Sequence, residues 1–210
     1  MNTYLFDFDG TLVDSMPTYV QAMLKILDDH HISYGKDVVK TITPLGAYHT
    51  ALYFQTLGVP METSEMINEM GKYMLDKYWY EIPAKPYVAQ MLKTLRNSGA
   101  SLNILTASPH ITLDKCLERL GLFDHIWSTD DFKTTKSDPA IYHMAAERIG
   151  KSAEEILFLD DNPNACETAK RAGMKVCGVY DASSAEFEEE MRKIGDFYIR
   201  DFSSLIPLSQ

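Results

Sequence analysis

A short apolar run, Tyr4-Leu5-Phe6, opens the chain and reads as a buried strand. From Met16 to about Tyr80 the texture changes. Apolar residues such as Val20, Met23, Leu24 and Leu27 recur at three- and four-residue steps, which predicts helices and no convincing strand. From Pro86 onward apolar runs alternate with amphipathic segments. The pattern predicts helices over 88–97, 111–120, 140–149 and 165–172, with strands over 102–105, 125–127, 156–159, 175–179 and 197–199. Strands apolar on both faces and separated by helices predict a parallel sheet covered by helices, so the expected class is α/β with an all-helical insert.

Composition narrows the functional classes. The 210 residues, 45% hydrophobic and 24% charged, suffice for one large domain or a domain with an insertion. A formal charge of -10 argues against nucleic acid and against an anionic membrane as partners. No run is long and apolar enough to span a bilayer, and the N-terminus reads as a strand rather than a signal segment, so a cytoplasmic location is expected. Cys116, Cys166 and Cys177 lack paired spacing and are expected as reduced thiols rather than a disulfide framework or zinc site. A monomer or weak homodimer is the expected state.

The chemistry concentrates at predicted strand ends. Asp7 and Asp9 alternate where the first strand gives way to a turn at Gly10, and two carboxylates sharing a site cost stability unless a cation or proton lies between them. Thr106 and Ser108 follow the 102–105 strand, Asp160 and Asp161 follow the 156–159 strand, and Lys136 precedes the helix near Pro139. In parallel sheets ligands collect at the carboxyl ends of strands, so one row of loops would gather them all. Taken singly, Thr106 reads as a helix cap, Lys136 as a solvated lysine and Asp160-Asp161-Asn162-Pro163 as a turn.

Together these groups fit Mg²⁺-assisted phosphoryl transfer to an aspartate. Mg²⁺ takes oxygen ligands and is held by one or two carboxylates, here Asp7 and the Asp160-Asp161 pair, with a substrate phosphate. An aspartate attacks phosphorus and water then hydrolyses the acyl phosphate. Asp9 is the candidate acid and base. The Thr106 hydroxyl, the backbone N–H groups of Ala107 and Ser108, the Gly10 turn and the Lys136 ammonium are the candidate phosphate-binding groups.

The ordered series Asp7-Phe8-Asp9-Gly10-Thr11, Thr106 after a strand, Lys136 before Asp138-Pro139, and Asp160-Asp161 resembles the four motifs of the haloacid dehalogenase superfamily over nearly the whole chain. The resemblance is to the subfamily of phosphoglycolate phosphatases and β-phosphoglucomutases, which carries a small helical cap after the first motif. It implies a Rossmann-like catalytic core over 1–15 and 82–210 and a cap over 16–81. It also implies a nucleophile at Asp7, an acid/base at Asp9 and phosphate binding by Thr106 and Lys136. Mg²⁺ would be held by Asp7, the Asp9 carbonyl and Asp161, with Asp160 auxiliary.

Two departures from the family pattern stand out. Ser137 occupies the place of a usual proline after the motif lysine, with Lys133 as a weaker competitor for that role, and Asn164 and Ala165 stand where a second acid often lies. Retention of Asp9 argues against carbon–halogen cleavage. Substrate choice is expected from Met16, Tyr19 and the 43–53 stretch, where Tyr48, His49 and Tyr53 offer polar groups, although aromatics at helical spacing more often form core. Within it, Thr43-Pro44-Leu45-Gly46-Ala47 lacks the cap arginine by which sugar phosphomutases of similar architecture hold a second phosphate. The expected activity is therefore hydrolysis of a small phosphorylated metabolite, ahead of a phosphomutase or a non-catalytic binding protein.

Overall fold

The computed structural model describes residues 2–42, 45–113 and 122–206, and these divide into two compact units. The first comprises 1–14 and 83–210, the second 15–82.

The first unit is built on six parallel strands: β1 (Thr3–Phe6), β2 (Ser101–Thr106), β3 (His125–Ser128), β4 (Ile156–Asp160), β5 (Lys175–Val179) and β6 (Phe197–Ile199). Their order in the sheet is β3-β2-β1-β4-β5-β6. The order reverses at β1, which pairs with β2 on one side and β4 on the other, and this is where open α/β sheets offer a crevice. Helices α5 (Val88–Asn97), α6 (Pro139–Ile149), α7 (Pro163–Arg171) and α8 (Glu188–Ile194) cover the sheet. Leu5, Leu105, Phe158 and Val176 pack with Tyr142, Ala145, Cys166 and Met191 in one continuous core, which accounts for the apolar character of the strands. The architecture is the α/β arrangement expected from the alternation, with the Rossmann-like core that the family resemblance implies.

Element ends differ from the sequence-based expectation by one or two residues. β2 runs through Thr106 and β4 through Asp160, because their ladder partners Ser128 and Gly178 extend the sheet. Strand β1, in contrast, stops at Phe6, so Asp7 and Asp9 lie in the loop rather than on a strand, although the Asp7 N–H still donates to the Leu159 carbonyl at 2.8 Å. The helix expected over 111–120 is described only to residue 113, and its remainder lies outside the described residues, as does Cys116. Cys166 and Cys177 are buried free thiols. Burial pushes Cys177 up to about 12 and holds Cys166 well above the usual thiol range.

The second unit holds α1 (Met16–Asp29), α2 (Asp37–Ile42), α3 (Gly46–Thr56) and α4 (Thr63–Tyr80). Pro17 stands in the first turn of α1, where its missing N–H has no intrahelical partner to lose. Met66, Met70, Met74 and Tyr78 recur every four residues on α4 and are buried, as are Ala22, Met23, Ile26 and Leu27 on α1. On α3, Thr50, Ala51 and Phe54 are buried while Tyr48 and His49 are exposed, so those two aromatics are not core of this unit. Thr43 and Pro44 lie outside the described residues. No helix among the described residues is long and apolar enough to cross a membrane.

Candidate active site

The segments after β1, β2, β3 and β4 bring the sequence-predicted residues to the carboxyl edge of the sheet. Asp7, directly after β1, is buried and faces Lys136, whose ammonium contacts Asp7 Oδ1 and lies 2.9 Å from Asp160 Oδ2. Carboxylate oxygens of Asp7, Asp160 and Asp161 all lie within 4.8 Å of one another. Asp160 is steadied by the Asn162 N–H, which donates to its Oδ1 at 2.8 Å, and Asn162 in turn caps α7. The Thr11 hydroxyl donates to Asp161 Oδ1 at 3.1 Å. Gly10, at φ +73°, passes so close to Asp161 that a Cβ there would stand 2.7 Å from its Oδ2.

Asp9 points elsewhere. Its carboxylate accepts from the Ser108 hydroxyl, and the Ser108 N–H donates to Thr106 Oγ1 at 3.0 Å, which folds residues 106–108 into a tight turn at the end of β2. The carboxylate cluster does not include Asp9; the expected Asp9 ligand is its main-chain carbonyl. Lys133, the weaker competitor for the lysine role, is exposed in a left-handed turn at φ +52°. Lys136 instead crosses 5.7 Å from the Phe158 ring centroid into the cluster.

Burial pushes the Asp7 carboxyl up to about 7; the Lys136 charge pulls against this, and the charges of Asp160 and Asp9 add to it. Asp161 is driven well above the carboxylate range by burial first, then by the charges of Asp160, Asp7 and Asp181, with Lys85 opposing. Burial would lower the Lys136 ammonium, but Asp160 and Asp7 outweigh it and hold the group above its ordinary value, so it stays charged.

Two groups that sequence reasoning left without a role support this arrangement. The buried Tyr142 hydroxyl lies 3.0 Å from the carbonyl oxygens of both Lys136 and Ala165, tying the lysine loop to α7. Thr11 belongs to the first motif, yet only the fold shows that its hydroxyl serves Asp161.

Comparison with known proteins agrees with the fold. The family of haloacid dehalogenase-like hydrolases matches residues 4–179, and this chain belongs to that family. A phosphoglycolate phosphatase of Salmonella typhi is 29% identical over 200 residues, spanning 83% of this chain and 79% of that protein. Pyrophosphatase PpaX of Bacillus velezensis is 30% identical over 181 residues, spanning 83% and 81%. Among solved structures, CbbY from Rhodobacter sphaeroides in complex with phosphate shares the fold at TM-score 0.80 and 18% identity, covering 99% of this chain and 100% of that one. The chain is an enzyme of the phosphatase class.

Proposed function

We propose that this protein is a Mg²⁺-dependent phosphatase that hydrolyses a small, singly phosphorylated metabolite through an aspartyl-phosphate on Asp7. The observation that carries the reading is an imbalance of charge. Three buried carboxylates share one ammonium, that of Lys136, and among the described residues no ammonium or guanidinium forms an ion pair with Asp161. Such a pocket is stable with a cation in it, and its all-oxygen donor set suits Mg²⁺. Asp7, Asp161 and the Asp9 carbonyl, with Asp160 auxiliary, would hold the ion, which when bound would add positive charge beside the phosphoryl group.

The residues of the chain carry the rest. Lys136 favours the ionised form of Asp7, whose oxygen attacks phosphorus as the bond to the leaving oxygen breaks. Asp9, held by Ser108, protonates that leaving oxygen and later takes a proton from the water that cleaves the acyl phosphate. The Thr106 hydroxyl, the backbone N–H of residue 107, Gly10 and Lys136 bind the phosphoryl oxygens, whereas the Ser108 N–H, expected to join them, is already engaged by Thr106 Oγ1. Residues 16–81 are proposed as the cap that selects the leaving group. This stretch contains no arginine, which favours hydrolysis of a single phosphate over transfer within a bisphosphate.

The test is inorganic phosphate release from a panel of phosphorylated acids, sugars and nucleosides, with Mg²⁺ or excess chelator, for the native chain and Asp7→Asn. Metal-dependent release that vanishes in the variant is the expected result; equal release by Asp7→Asn overturns the mechanism.

A further inference from the structure

The ion pair between Lys85 and Asp181 lies outside the carboxylate cluster and takes no part in the proposed phosphoryl transfer. Lys85 Nζ stands 2.7 Å from Asp181 Oδ2 and donates to the Tyr180 carbonyl at 2.8 Å, with both side chains largely out of solvent. Asp181 is fixed in turn by the Ser183 N–H at 2.8 Å and the Ser183 hydroxyl. The Lys85 main-chain N–H donates to the Leu12 carbonyl at 2.9 Å. Leu12 adjoins Thr11, whose hydroxyl holds Asp161.

One lysine thus fastens two segments. Its backbone anchors the loop that carries Thr11, and its side chain anchors the loop after β5, the strand paired with the β4 strand that leads into Asp161. A buried ion pair is a weak source of stability, because desolvation offsets most of the attraction, so an account of this one in terms of stability alone is thin. Both charges also reach Asp161, with opposite signs.

We propose that Lys85 and Asp181 are positioning residues for Asp161: the pair clamps the Thr11-Leu12 loop so that the Thr11 hydroxyl holds the Asp161 carboxylate in the orientation a divalent cation requires. This rests on reading the cluster as a divalent-cation site. The experiment is a calorimetric Mg²⁺ titration of the native chain, of Lys85→Met/Asp181→Leu, of Thr11→Val and of the three changes combined. Replacing both partners by apolar residues leaves no unpaired buried charge, so the variant is expected to fold. Lys85→Arg, which keeps the pair, serves as the rescue.

The expected result is Mg²⁺ binding about threefold or more weaker in the paired variant, the magnitude of one displaced hydrogen bond. Lys85→Arg should bind as the native chain does, and the Thr11→Val loss should shrink when the pair is already gone, since the two act on one carboxylate. A native chain that binds no Mg²⁺ overturns the cation-site reading and this inference with it. Native binding, together with undiminished binding in the paired variant or strictly additive losses, overturns this inference alone.

Discussion

The Thr11 hydroxyl and the Asp161 carboxylate, 150 residues apart in sequence, meet at 3.1 Å and join the turn after β1 to the loop after β4. The bond fixes one carboxylate oxygen and with it the direction in which the other points. Thr11→Val keeps the shape of a fully buried side chain and removes the donor. Because a hydrogen bond to a charged group contributes about 1.5–3 kcal/mol, Mg²⁺ affinity measured by calorimetry should fall roughly tenfold or more. Native affinity in Thr11→Val would mean that Asp161 is held by something else.

The carboxylates are legible in the sequence because each is a chemically distinctive residue at a predicted strand end, and the lysine because it precedes a predicted helix in the segment after β3; β1, β3 and β4 deliver them to one edge. What holds them is not legible there. Tyr142 reads as one more apolar position on α6, and nothing in sequence distinguishes Lys85 or Asp181 from other surface charges, since their pairing depends on the β5 loop folding back to the segment after Pro83. The placement of Asp9 against Ser108 is likewise hidden, because it is a contact between the loop after β1 and the turn that ends β2. Periodicity reports burial and strand ends report the site, while contacts between loops belong to the tertiary fold.

Among the described residues, Lys136 is the one ammonium that forms ion pairs with both Asp7 and Asp160. Lys136→Met leaves two buried carboxylates without their counter-charge. Breaking a buried pair from one side costs about 3–5 kcal/mol, so the metal-free variant should unfold at clearly lower temperature than the native chain in a calorimetric scan. Added Mg²⁺ should recover part of that loss, while phosphate release stays far below native even at saturating Mg²⁺, because the phosphoryl oxygens have lost a cation. A metal-free melting temperature equal to native would contradict the charge argument.

The Asp7 carboxyl, raised from 3.8 to about 7 chiefly by burial, gives the metal-free protein a defined pH dependence. A carboxyl whose value is higher in the folded than in the unfolded chain contributes stability that is complete below the unfolded value. That contribution is lost as pH rises through the folded value. In chelator, the Asp7 contribution is therefore present near pH 4 and gone above about pH 7. Melting temperatures of native and Asp7→Asn chains, taken from pH 5 to pH 8 with chelator, should diverge toward higher pH, with the asparagine variant becoming relatively more stable. Saturating Mg²⁺ should shrink the divergence, and parallel curves in chelator would show that Asp7 is not strained by its burial.

Gly10 and Gly150 separate backbone strain from damage to the site. Both take positive φ, +73° and +76°, which costs a residue with a side chain about 1–2 kcal/mol. At Gly150, the residue that ends α6, a Cβ would meet nothing within 4 Å, whereas at Gly10 it would press on Asp161 at 2.7–2.9 Å. Gly150→Ala should therefore lower the melting temperature and leave Mg²⁺ binding as in the native chain. Gly10→Ala should show the same backbone penalty and in addition lose Mg²⁺ affinity, because the Asp161 carboxylate has to move out of its place beside Thr11. Paired calorimetric titrations and thermal scans decide it: equal Mg²⁺ affinity in the two variants would show that the closeness of Gly10 to Asp161 has no bearing on the cation.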